Sequence, residues 1–138
     1  MAMDMEKIRD YRNRANAFGI QLGIYIEEIR ENYARATKVV RECETNPAGT
    51  GHGGICFTMA DAVAAAASSA TGHASATVNA DYQYLHSCYV GDTLTAVASE
   101  VKHGRTLCVY EVRITNQEDK LIGIGTFTFF IKDAMLPL

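Results

Sequence analysis

His52, Gly53, Gly54, Cys56 and Asp61 stand close together in the stretch "GTGHGGICFTMAD", and between them they hold the parts of a hydrolytic site. Two consecutive glycines ahead of an alanine-rich run would open a helix. Their bare amides would lie at the positive end of the helix dipole, with no Cβ to keep a ligand oxygen away. Asp61 is the only acid between Glu44 and Asp81. A carboxylate among so many alanines is predicted to be partly desolvated, and such a group needs hydrogen bonds. Donors aimed at a developing oxyanion, with a carboxylate nearby, suit transfer of an acyl group to water. The plain alternative is a solvated acid on an exposed helix face; the absence of other charges on this helix argues against it. Cys56 is a rival nucleophile, four residues after His52 and near a helix N-terminus, which lowers a thiol pKa. No orienting acid is evident for it.

The elements that must position these groups can be read from periodicity. Residues 4–17 place Ile8, Tyr11 and Ala15 at helical spacing, which predicts an N-terminal helix ended by "FGI". Alternation predicts strands over 21–30 and 33–40, with Asn32 near the turn. The loop "ETNPAGTGHGG" follows. A helix over 55–70 would turn Ile55, Met59, Ala62, Val63, Ala66 and Ala70 inward and Thr58, Asp61, Ala65 and Ser68 to the other side, with Gly72 as its cap. Strands over 74–85, 93–102, 106–116 and 120–132 complete the chain, joined by "VGD", "HGR" and "QED". Four consecutive strands with short joints predict an antiparallel meander. The Gly-x-Gly-x-x-Gly pattern from Gly49 to Gly54 therefore does not describe a dinucleotide cradle. That needs a parallel sheet and a strand running straight into the loop.

The 138 residues suffice for a single domain over 1–138, and a hydrophobic content of 48% excludes a disordered chain. A net charge of −3 without a basic block argues against nucleic acid. No membrane-spanning apolar run and no signal core are evident, so the expectation is a soluble, cytoplasmic protein without a membrane partner. Cys43, Cys56, Cys88 and Cys108 form no metal-binding pattern and are expected to be small buried hydrophobes. His73 and His86 are expected to be structural or surface residues, and no metal is predicted.

"NPAGTGHGGICFTMADAVAAAA" and the later "YLHSCYVGDTLTAVASEVKHGRTLCVYEVRITNQEDKLIGIGTFTF" resemble hotdog-fold acyl-CoA thioesterases of the phenylacetic-acid-degradation (PaaI-type) group. The resemblance covers about Asn46 to Phe129, with Met59 where the family usually has Leu. It implies an α+β fold: an antiparallel β-sheet wrapped around a central α-helix, with an N-terminal helix, assembled as dimers and homotetramers. It implies hydrolysis of an acyl- or aryl-acyl-CoA thioester, with no cofactor beyond the coenzyme A of the substrate. Carried over by position, the Gly53 N–H would polarise the carbonyl and Asp61 would be nucleophile or general base. Asn46 would orient water or the thioester, His52 would fix the loop and assist near the carbonyl, and Thr77 would hold water or Asp61; hydrogen bonds from Asn46 or Thr77 would offset the desolvation of Asp61. Gly54 and Tyr84 are candidates for substrate binding. Where family members carry Arg-Pro this chain has His86-Ser87, which leaves Lys102, His103 and Arg105 as basic candidates for the nucleotide phosphates. Two relatives of the same fold fit less well. The hydroxyacyl dehydratase needs a helix Glu, and the other thioesterase type needs an Asp-x-Asp near the first strand. A non-catalytic acyl-CoA binder is the remaining alternative.

One expectation follows from helix rise alone. Gly53 and Asp61 are eight residues apart, about 12 Å along one helix. Two groups that act on one carbonyl must each come within about 3 Å of it. The pairing works if Gly53 of one copy faces Asp61 of another, which gives a two-fold dimer with two shared sites.

Overall fold

The computed structural model describes residues 3–138. The N-terminal helix α1 (Met5–Ala15) is capped by Asp4, whose side chain accepts the Lys7 N–H. It ends at Asn16, and a second short helix, α2 (Ala17–Gln21), follows. "FGI" thus lies inside a helix, because the Asn16 side chain caps a new turn by accepting the Gly19 N–H. Strands β1 (Tyr25–Arg30) and β2 (Tyr33–Val39) form a hairpin. Asn32 at its turn has φ 71°, a left-handed conformation that Asn tolerates. The central helix α3 (Gly53–Ser68) comes next and ends in a 3-10 turn, Ser69–Thr71, closed by Gly72 at φ 83°. Strands β3 (His73–Tyr84), β4 (Thr93–His103), β5 (Leu107–Thr115) and β6 (Leu121–Met135) follow.

The six strands form one antiparallel sheet in the order β1-β2-β4-β5-β6-β3. Only β4, β5 and β6 form the expected meander. β3 pairs with β6 at the sheet edge, while β4 lies beside β2. Three strand spacings, about 14 Å, separate β3 from β4. Residues 85–92 must therefore cross the end of the sheet and cannot form a tight hairpin.

α3 lies in the concave face. Ile55, Met59, Ala62, Val63 and Ala66 are buried as their spacing predicts, and Cys56, Ala60, Ala64, Ala67 and Ser68 join them. Ser68 was expected on the open side, but its hydroxyl bonds the Ala65 carbonyl and Ser75 under the sheet. Small side chains let the sheet close on most of the helix. Leu94, Tyr110, Val112, Ile114, Phe127 and Phe129 fill the space from the strands. Gly53–Thr71 is 19 residues with a mean hydropathy of 1.2, long and apolar enough to cross a membrane by length and composition. This corrects the expectation that no such run exists. In the fold these residues are the core helix, and their apolarity is used against the sheet.

Candidate active site

The donor end of the site is the loop from Glu44 to Gly53. Thr45 bridges Gly51, the Asn46 N–H donates to the Thr50 carbonyl (2.8 Å) and the His52 N–H to the Glu44 carbonyl (2.7 Å). The Asn46 side chain holds the turn from within. Its Oδ1 accepts the N–H groups of Ala48 (3.0 Å) and Thr50 (3.1 Å), and its Nδ2 donates to Thr50 Oγ1 (2.8 Å). Gly49, at φ 81°, supplies the left-handed residue this turn requires. Gly51 is packed so closely that a Cβ there would sit 2.4 Å from Cys88 Sγ, and its N–H donates to the Cys88 carbonyl (2.7 Å).

His52 caps α3: its Nδ1 accepts the Gly54 N–H at 2.8 Å. Gly54 is thereby corrected as a free donor, since the cap occupies its amide. The Gly53 N–H finds no acceptor among the described residues, as befits one of the orphan donors of a helix N-terminus. Tyr84 packs its ring on Gly53 and donates its hydroxyl to the Gly53 carbonyl (3.1 Å). Asn46, Gly53, Cys56 and Tyr84 share a cleft of about 270 Å³ with Leu85, His86, Ser87, Cys88 and Ile122. Leu85 to Cys88 come from the β3–β4 crossing, and Ile122 from β6. No periodic signal marks the crossing residues, because a loop reaches a site through chain path alone.

The carboxylate end is different. Asp61 lies on the stripe of α3 that the sheet leaves uncovered, with Gly54, Phe57, Thr58 and Ala65. Its partner is Thr77 on β3, whose Oγ1 donates to Asp61 Oδ1 at 2.7 Å. Asn46 was expected to share that task; its side chain is engaged in its own loop instead. Asp61 is half-buried and Thr77 exposed, and β3 keeps one edge unpaired within the described chain.

The basic candidates divide. Arg105 and His103 line a groove of about 670 Å³ with Lys132 and His73, two residues that spacing did not reveal. His103 Nδ1 is also 2.9 Å from Glu100 Oε1. Lys102 lies at a bulge of β4, exposed and outside the groove. The groove includes Thr71, at the far end of α3 from Gly53.

Cys56 meets Cys88 beneath the donor loop. The hydrogen bond it gives to Cys88, together with burial, pushes the Cys56 thiol well above its ordinary range, and the same bond lowers Cys88. A thiol so raised is a poor nucleophile, which counts against the cysteine-hydrolase reading. Cys88 and Cys108 are buried as expected, whereas Cys43 is exposed. The ring nitrogens of His73 and His86 bond the carbonyls of Lys132 (3.0 Å) and Leu121 (2.8 Å). Among the described residues no cluster suits a metal.

Comparison with known proteins places this geometry in context. The model of the thioesterase superfamily matches residues 48–122. Acyl-coenzyme A thioesterase PaaI of Escherichia coli is 33% identical over 75% of this chain and 74% of its own. The structure of the E. coli PaaI protein, from the phenylacetic acid degradation operon, superposes with a TM-score of 0.87 over 96% of this chain and 99% of that one, at 26% identity. A hypothetical thioesterase protein of Streptococcus pneumoniae TIGR4, solved with coenzyme A, matches with a TM-score of 0.78 and 32% identity, over 82% of this chain and 91% of that one. That protein has also been solved as an aspartate-to-alanine and as a threonine-to-alanine mutant, at positions 16 apart; Asp61 and Thr77 have the same separation.

Proposed function

Because the chain belongs to the thioesterase superfamily, as a thioester hydrolase of the PaaI-type hotdog-fold group, we propose that it cleaves an acyl- or aryl-acyl-CoA thioester to free coenzyme A and a carboxylic acid at sites shared between two copies. The observation that carries this reading is the unsatisfied Gly53 N–H in a cleft, set about 12 Å of helix away from a half-open Asp61. Gly53 would donate its N–H to the thioester oxygen and strengthen its hold as that oxygen becomes an oxyanion. Asp61 of the partner subunit, held by its Thr77, would take a proton from the attacking water and pass it to the departing sulfur, or attack the carbonyl itself to give an anhydride that water then hydrolyses to the carboxylic acid and the free carboxylate. The sulfur of coenzyme A leaves and is protonated. His52 and Asn46 would keep the donor loop in shape, and Tyr84 would bound the acyl end of the cleft.

Two α3 helices packed antiparallel across a two-fold would bring each Gly53 opposite the partner's Asp61. Phe57, midway between them, would then lie near the axis, and it is 38% exposed in the single chain. The unpaired edge of β3 supports the same pairing, since a free strand edge is a template for another strand. A homotetramer would use the outward face of β4, β5 and β6, where Val101, Leu107 and Phe130 are exposed. The groove of His73, His103, Arg105 and Lys132 is our candidate for the nucleotide phosphates. The acyl class we favour is aryl or medium-chain, in a soluble cytoplasmic enzyme of aromatic-acid degradation.

Complementation tests the shared site. Asp61→Asn removes the carboxylate, and Gly53→Pro removes the N–H at a first helical position, where Pro is tolerated. The new Cβ would press on the exposed Tyr84 ring, 2.9 Å away. Each variant alone should be inactive in a coenzyme A release assay, whereas co-expressed chains form hybrid dimers with one intact site and regain activity. Hybrids that form and stay inactive, with both variants folded, refute the shared site.

A further inference from the structure

Lys38 and Glu44 form an ion pair whose side chains are 0% and 4% exposed. Neither residue lies in the motif or in the cleft. The Glu44 carboxylate accepts from Lys38 Nζ on both oxygens (2.8 and 2.9 Å), from the Arg41 N–H (2.8 Å), and from Arg41 Nε (3.0 Å) and Nη2 (2.6 Å). Lys38 also donates to the Leu22 carbonyl, and Arg41 to that of Gln21 at 2.7 Å. The cluster thus ties β2 and the end of α2 to the start of the donor loop. Burial alone would raise the Glu44 pKa, but the hydrogen bonds from Arg41 and Lys38 outweigh it and hold the group at about 2.

A buried pair of this kind is seldom more stabilising than apolar residues of the same volume, so its value here lies in what it holds in place. The Glu44 carbonyl receives the His52 N–H at 2.7 Å, and Thr45 bridges Gly51. The peptide that follows His52 carries the Gly53 N–H. Fixing His52 at its own N–H fixes the direction of that next donor. Building on the proposed role of Gly53, we infer that Glu44, clamped by Lys38 and Arg41, is a positioning residue for the oxyanion donor. A donor displaced by about 1 Å loses on the order of 10²-fold in rate, so loosening this clamp lowers kcat and leaves substrate binding nearly untouched.

The test replaces the pair in two ways. Glu44→Gln keeps the shape but leaves the Lys38 charge buried without its partner, so that variant can fail to fold. Lys38→Met with Glu44→Leu removes both charges and keeps an apolar packing. The double variant is assayed with acetyl-, hexanoyl- and phenylacetyl-CoA, together with thermal unfolding and amide exchange of His52. The expected result is a kcat lower by about 10- to 100-fold, a KM within about twofold, a fold that still melts cooperatively, and faster exchange at the His52 N–H. A folded double variant with wild-type kcat overturns the inference. So does a kcat that returns to the wild-type value when the variant is merely stabilised by an osmolyte, since that marks a general structural role. A wild-type protein that cleaves none of the three thioesters sinks the proposed function instead. In that case His52 exchange still reads the clamp, and unchanged protection in the double variant refutes it independently.

Discussion

The two ends of the site are built to different standards of completeness. The donor end is finished within one chain: backbone bridges, the Asn46 side chain, the His52 cap and the buried Lys38–Glu44 pair all restrain it. The carboxylate end has one hydrogen bond, from Thr77, and faces outward from a helix that is otherwise enclosed. An alanine-rich core helix that keeps one open stripe, beside a sheet that keeps one open edge, suits the two-fold pairing proposed above. The contrast teaches that the donor is built within one chain, whereas under the proposed shared site the acid–base group would depend on a neighbour. Substitutions at the two ends should therefore fail in different ways.

The largest loss is expected at Asp61. Asp61→Asn is nearly isosteric and can still accept from Thr77, so fold and assembly should survive. The amide is neither base nor useful nucleophile, and turnover should fall by about 10²-fold or more. Coenzyme A release from a folded, correctly assembled Asp61→Asn protein at near wild-type turnover would remove the carboxylate from the mechanism.

Thr77 comes next. Its hydroxyl is the group seen holding Asp61, at 2.7 Å. A hydrogen bond to a charged group contributes about 1.5–3 kcal/mol, and 1.4 kcal/mol is about tenfold in rate. Thr77→Ala should lower kcat by about tenfold, and Thr77→Ser, which retains the hydroxyl, should restore most of it. If serine and alanine behave alike, the hydrogen bond is not what matters at this position.

How much of this was legible beforehand follows the same division. The helix start at the donor end reads directly from sequence because its signal is local, two glycines ahead of an alanine run, whereas the His52 cap on Gly54 and the inward engagement of Asn46 emerge only in the folded loop. The inward face of α3 was legible for the same reason, through its period. What escaped is set by contacts distant in the chain. The edge position of β3 depends on how the sheet closes around α3, and no strand periodicity encodes strand order. Ser68 was misplaced because its neighbour Ser75 lies across a turn. The cleft wall from Leu85 to Cys88 and the groove residues His73 and Lys132 come together through the path of the chain. Glu44 went unremarked, because its partners Lys38 and Arg41 meet it only once the loop folds back against β2 and α2.

The smallest effect is expected at His52, and it separates the two ends most sharply. The imidazole stands at the helix N-terminus, largely exposed, and its Nδ1 accepts the Gly54 N–H. His52→Ala removes that cap and should cost about 1 kcal/mol of stability. The backbone bond from the His52 N–H to the Glu44 carbonyl does not involve the side chain, so the Gly53 donor should stay aimed. The freed Gly54 N–H would then lie beside it at the same helix end. Turnover should drop less than at Thr77, by no more than a few-fold, together with a modest fall in the unfolding midpoint. His52→Asn, which can also accept at a helix start, should recover the stability. A loss of turnover as large as that of Asp61→Asn, in a protein that unfolds normally, would mean that the imidazole acts on the thioester itself. The donor end would then no longer be a backbone device held by its own chain.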